Sequence, residues 1–140
     1  VIDRQKLRSK LEIMNLGLGR LTKLQEASRD QFLADFRYVD AAKRNLQVAI
    51  EAMIDVANHV IARSGLGLPK NHAEAFRIIA QEGWISASDA ERFALMARFR
   101  NRLVHLYEEI DDAEVYRILH EDLDAFRSFL RAFAGHLAAD

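Results

Sequence analysis

Arg29-Asp30-Gln31-Phe32-Leu33-Ala34-Asp35-Phe36-Arg37-Tyr38-Val39-Asp40, running on through Leu46, Ile50, Ile54 and Ile61 to Arg63, is the stretch that decides the fold. Its apolar residues return at steps of three, four and seven, the period of one helix face and not the alternation of a strand. At about 1.5 Å per residue, a helix over 29–63 is long enough to be the spine of a bundle. Upstream, Leu7, Leu11, Met14, Leu18 and Leu21 form a second stripe of the same period. A single proline, Pro69, in 140 residues fits a chain that is almost all helix.

Punctuation divides the rest. Ser28 with Gln31, Asn71 with Glu74, Ser88 with Glu91 and Asp111 with Glu114 have the spacing of a polar N-cap followed by Glu or Gln. Gly65 and Gly83 stand where a helix end wants a left-handed residue. The spacing predicts five helices, at about 3–26, 29–63, 72–82, 89–109 and 112–137, with ends uncertain by about 2–4 residues. Only Ser64–Lys70 reads as a substantial loop. The expected fold is all-α, an antiparallel four-helix bundle with an additional short helix, as a single domain over residues 1–140.

Composition narrows the function classes. Net charge is −1, so bulk electrostatics do not draw the chain to nucleic acid, and any such contact must come from a local patch. There is no cysteine, which removes disulfides, thiol nucleophiles and Cys-based zinc sites and fits a reducing cytoplasm. No apolar run is long enough to span a bilayer, and Val1-Ile2-Asp3-Arg4 does not read as a signal peptide, so no membrane partner is expected.

The chemistry concentrates in Arg98-Phe99-Arg100-Asn101-Arg102-Leu103-Val104-His105-Leu106-Tyr107. Arginine offers a permanently charged planar fork for phosphate, and histidine exchanges a proton near neutral pH. Together they suffice to cleave a phosphodiester without a metal or other cofactor. On a helical wheel, Leu95, Met96, Phe99, Leu103, Leu106 and Ile110 share the arc expected to face the core. Arg100 and Tyr107 lie at one border of that arc, with Asn101, His105, Arg98 and Arg102 on the polar side. Arg100 and His105 diverge by about 140° on an ideal helix, too far to close on one phosphate easily. Val104, apolar among polar neighbours, suits a second interface. A homodimer would bring two Arg and two His to one cleft. The competing reading is plain: clustered arginines on an exposed helix usually form a solvated, salt-bridged face.

Other candidates are weaker. Glu51, Asp55 and His59 form an i, i+4, i+8 stripe that could line a cleft or hold a metal, although such stripes more often serve side-chain hydrogen bonds. Gly17-Leu18-Gly19 lacks the preceding strand of a phosphate loop and suggests close helix packing or a kink. His72, His120 and His136 sit near helix ends, where caps or solvent would use them. Trp84, after Gly83, would pack back on its own helix as a C-terminal staple. Tyr116, Phe126, Phe129 and Phe133 read as core or rim packing.

Arg100, four intervening residues, His105, one residue and Tyr107 resemble the Arg-x4-His-x-Tyr signature of the HEPN superfamily, and specifically its HepT toxins. Gly67-Leu68-Pro69, Glu74-Ala75-Phe76, Gly83-Trp84-Ile85-Ser86, Met96–Asn101, Ile110-Asp111, Val115-Tyr116 and Ile118-Leu119 extend the similarity over most of the chain. So do Glu51, Asp55 and His59. The resemblance implies a metal-independent endoribonuclease toxin of a type II or type VII-like toxin–antitoxin pair. It would act as a homodimer on RNA, with no DNA expected.

The resemblance also implies roles. Arg100 would hold the scissile phosphate, His105 would serve acid–base transfer, and Asn101 would orient the site, with Arg102 as a possible cleft residue. An MntA-like nucleotidyltransferase would neutralise the enzyme by adding AMP to Tyr107. Leu106 departs from the pattern, since that position is often acidic in the family. The alternatives are an inactive HEPN module that binds a nucleotidyltransferase or nucleotide, and a plain helical dimerisation protein.

Overall fold

A computed structural model describes residues 2–138. Seven helices follow one another, with no strand among the described residues: α1 Arg4–Leu24, α2 Arg29–Ala34, α3 Phe36–Ser64, α4 His72–Gln81, α5 Ala87–His105, α6 Asp112–Glu121 and α7 Leu123–Ala138. A 3-10 turn, Tyr107–Glu109, joins α5 to α6. The long helices α1, α3, α5 and α7 form the bundle, and α3 is its spine, packed against α1, α2, α4, α5 and α6. Its burial runs nearly all round: Ala42, Leu46, Ala49, Ile50, Met53, Val56, Ala57 and Val60 are sealed from solvent.

Two expected helices are each broken in two by an aspartate. Asp35 leaves the helical region (φ −127°, ψ 108°) and its carboxylate accepts the Arg37 backbone N–H at 3.0 Å. The Arg37 side chain then grips the same carboxylate, with Nη2 2.6 Å from Oδ2. A short polar side chain that bonds its neighbouring backbone makes a start signal there, stronger than the apolar period that runs across it. Asp122 separates α6 from α7 in the same chain position relative to its helices, and Leu119 and Leu123 on either side are both buried.

The caps follow the sequence with two exceptions. Ser28 and Gln31 close a reciprocal capping box, Asn71 accepts the Glu74 N–H, and Gly65 ends α3 at φ 64°. Ser86, not Ser88, caps α5 by accepting the Asp89 N–H, and Glu91 instead pairs with Arg77 of α4. Asp111 caps α6 through the N–H of Ala113, while Glu114 is engaged by Arg102.

Trp84 completes the backbone closure of α4, donating its N–H to the Ile79 carbonyl as Gly83 donates to Ala80. Its ring, however, does not fold back on α4. It stacks on Phe133 and lies tilted against His136 of α7, with centroids at 5.4 and 4.4 Å. Phe76, Phe93 and Phe129 meet edge to face at 5.2–6.4 Å and tie the α4–α5 hairpin to α7. Gly17 lies in the seam between α1 and α3: a Cβ there would stand 3.5 Å from Ala49 Cβ, an ordinary contact distance. Gly17 is therefore part of the helix packing, whereas Gly19 faces open space on the same helix.

The core arc expected for α5 holds only in part. Met96, Phe99, Leu103 and Ile110 are buried, but Leu95 is 61% exposed and Leu106 46%. Leu106 falls outside because α5 ends at His105.

Candidate functional site

Arg100 sits late on α5 with its side chain mostly enclosed against α3. Its Nε lies 3.7 Å from Glu51 Oε1, and its Nη1 donates to Asn101 Oδ1 at 3.2 Å. The facing Nε and Oε1 atoms are both buried, and the gap between them is too long for a hydrogen bond. An arginine has five donors. This one is oriented by a carboxylate and an amide without being saturated by them.

His72, the first residue of α4, lies within reach of the Arg100 charge. Burial lowers its pKa, the charge of Arg100 lowers it further, and Asp55 opposes the shift. Sequence reading placed His72 with the caps and solvent. Its nearness to Arg100 depends on how α4 docks onto α3 and α5, and no local pattern carries that.

His105 is the last residue of α5 and is exposed between exposed Val104 and Leu106. Arg100 turns inward to Glu51 while His105 remains at the surface, the divergence read from the wheel. Tyr107 departs from the wheel. The helix has ended by then, and Leu106 (φ −133°, ψ 36°) turns the chain. Tyr107 therefore leaves the Arg100 border and lies across the early part of α3. Its hydroxyl donates to Asp40 Oδ1 at 3.0 Å. Lys43 Nζ stands 4.2 Å from the ring centroid and donates to the Tyr107 carbonyl at 3.4 Å. Burial, then the hydrogen bond and charge of Asp40, push the phenol pKa up to about 12. Neither Asp40 nor Lys43 stood out in the sequence, although Lys43 is only 5% exposed.

The Glu51, Asp55, His59 stripe is divided among three duties. Glu51 faces Arg100. Asp55 pairs with Lys10 of α1 at 2.9 Å while lying near His72. His59 does not line the cleft: it is buried, and its Nε2 accepts the Asp3 backbone N–H at 3.1 Å at the start of α1. Burial, then Lys6 and Arg63, hold its pKa below the ordinary value. No group of three His, Cys, Asp or Glu among the described residues has the arrangement of a metal site.

Arg102 also lies outside the Arg100 cluster. Its fork binds Glu114 of α6 at 2.7 and 2.8 Å, and this hydrogen bonding holds the Glu114 carboxyl below its ordinary pKa. Both line a groove of about 610 Å³ between α5, α6 and α7, floored by Met96, Phe99 and Ile118. The charges along this groove are spent on one another: Arg117 pairs with Glu121 and Asp122, and Arg92 with Asp89 and Asp124. Arg100 is not among the residues that line this groove.

Comparison with known proteins agrees with the helical fold. The family model described as "Ribonuclease HepT-like" matches residues 14–133. The chain is 33% identical over 100 residues to the mRNA nuclease HepT of Shewanella oneidensis, covering 71% of this chain and 75% of that nuclease. It is 27% identical over 131 residues to the tRNA nuclease HepT of Aphanizomenon flos-aquae, covering 94% and 89%. Among solved structures, a tri-AMPylated Shewanella oneidensis HEPN toxin in complex with its MNT antitoxin superposes with a TM-score of 0.84. There the identity is 26%, and coverage is 93% of this chain and 97% of that one.

Proposed function

The chain belongs to the HepT-like ribonuclease family, and we propose that it is the toxin of a toxin–antitoxin pair, a ribonuclease that needs no metal and acts as a homodimer. The observation that carries this reading is the oriented but unsaturated Arg100, set apart from the exposed His105. Within a single chain the motif histidine, His105, is directed away from this phosphate clamp. A second copy, seated on exposed Val104 and Leu106, would supply the missing half.

The reaction then needs only these side chains and their counterparts in the second copy. The Arg100 fork holds and polarises the scissile phosphate, with Asn101 and Glu51 fixing its plane. The RNA 2′-hydroxyl attacks phosphorus and gives its proton to one His105. The bond to the 5′-oxygen breaks, and that oxygen takes a proton from the His105 of the second copy. The products carry 2′,3′-cyclic phosphate and 5′-hydroxyl ends.

Neutralisation would come from a nucleotidyltransferase antitoxin that adds AMP to Tyr107. Asp40 and Glu51 stand about 16 Å apart along the α3 axis, roughly two Debye lengths at physiological salt. A phosphate on Tyr107 therefore acts first on nearby His105. It reaches Arg100 as added nucleotide extends along α3.

Expression without a partner tests the reading. The native chain should arrest growth and cleave RNA in EDTA, and Arg100→Ala should lower cleavage by about 10²–10³-fold. His105→Ala should abolish growth arrest. Equal toxicity from the native chain and both variants would sink the assigned site, and loss of cleavage in EDTA would sink the metal-free chemistry. For neutralisation, intact mass should rise by AMP units with the transferase and ATP, and Tyr107→Phe should gain none.

A further inference from the structure

Tyr107 is held by two side chains of α3 that stand one turn apart. Lys43, almost wholly buried, places its ammonium over the ring and bonds the Tyr107 carbonyl, so ring and backbone are clamped together. Asp40, itself exposed, accepts the hydroxyl proton's hydrogen bond at 3.0 Å. Tyr107 remains 36% exposed, so an incoming reagent can reach it.

A phenol that ionises near 12 is a phenolate about once in 10⁵ molecules at pH 7. Such a nucleophile cannot rely on being ionised beforehand, and its proton must leave as the new bond forms. The carboxylate bonded to that proton is in place before any reagent arrives.

We propose that Asp40 is the proton acceptor for nucleotidyl transfer to Tyr107, with Lys43 as the positioning residue that holds the ring for attack. The proposal rests on the reading of Tyr107 as the AMP acceptor. Tyr107 Oη attacks the α-phosphorus of ATP brought by the transferase, and an Oη–P bond forms. The bond from that phosphorus to the bridging oxygen breaks and pyrophosphate leaves. The hydroxyl proton passes to Asp40 Oδ1 and from there to water. The product ester has no proton to donate, and its negative charge faces the Asp40 carboxylate. Modification thus also ends the hydrogen bond that held Tyr107 against α3.

Asp40→Asn separates this role from a structural one, because an amide oxygen still accepts the hydroxyl but is not a base. With the transferase, magnesium and ATP, intact mass followed over time should show Asp40→Asn modified at least about 100-fold more slowly than the native chain. Its rate should climb with pH as hydroxide replaces the carboxylate, and Asp40→Glu should recover much of the loss. An Asp40→Asn rate within a few-fold of native, with the native pH profile, would overturn the proposal and leave Asp40 a staple. Ultraviolet titration, taken as native minus Tyr107→Phe, reads the contact without any partner. The Tyr107 phenol should fall from about 12 partway toward its ordinary value in Asp40→Ala, which removes both the hydrogen bond and the charge while burial keeps the rest of the shift, and no fall would remove the geometric basis. AMP gained by Tyr107→Phe would instead reject the acceptor residue itself.

Discussion

Gly17→Ala should make this protein more stable, and the reason lies in the seam between α1 and α3. Glycine inside a helix costs about 1 kcal/mol relative to alanine through lost backbone entropy. Whether the protein can recover that energy depends on what the new methyl meets. Here it would stand 3.5 Å from Ala49 Cβ and 3.6 Å from the Asn45 carbonyl oxygen, ordinary contact distances that require nothing to move. Each such contact adds about 0.1–0.2 kcal/mol of dispersion, so the total gain is about 1 kcal/mol.

Urea unfolding at fixed protein concentration should show a higher midpoint with an unchanged slope, and the melting temperature should rise by roughly 3 °C. Gly19→Ala is the control, since its methyl meets nothing within 4 Å and can gain from helix propensity alone. Gly17→Leu should reverse the sign, because the atoms beyond Cβ enter the packed seam at a cost of about 1–3 kcal/mol. If Gly17→Ala lost 1 kcal/mol or more, the seam would be tighter than these distances allow and the reasoning would be wrong. A neutral Gly17→Leu would mean that α1 and α3 do not approach each other there.

Three further outcomes follow from the site and the core. Arg100→Lys keeps the charge but loses the planar fork, and RNA cleavage should fall by about 10²-fold; Arg102→Ala, whose partner is Glu114, should not lower it comparably. His59 has its folded pKa depressed, so the folded state binds fewer protons than the unfolded one. Stability should then fall as pH drops through the ordinary histidine value toward the folded one, and level off below it. His72 is shifted the same way, so His59→Gln should remove part of the slope measured by urea midpoints between pH 7.5 and pH 5, values taken to bracket roughly the ordinary histidine pKa. No change of slope would reject the buried acceptor role. Phe129→Ala, which empties the contact among Phe76, Phe93 and Phe133, should cost about 3–5 kcal/mol, and a loss under about 1 kcal/mol in calorimetry or denaturation would show that the aromatic cluster collapses freely.

The sequence by itself determined what depends on neighbours in the chain. Helical period, the Ser28–Gln31 box and the left-handed stop at Gly65 are interactions within a few residues, and they specify an all-helical bundle without reference to its packing. The divergence of Arg100 and His105 is likewise a property of one helix, and the motif around them marked the family. The tertiary structure decided every pairing that crosses from one helix to another. Period alone could not weigh the Asp35 cap against the apolar stripe. Nor could it foresee that α5 would stop at His105 and send Tyr107 to Asp40 and Lys43 rather than to Arg100. The same holds for Glu51 facing Arg100, His72 coming within reach of its charge, His59 capping α1, and Arg102 turning to Glu114. Charged and aromatic side chains are long enough to choose among several neighbours. The choice is made by which helices lie within reach once the core has closed.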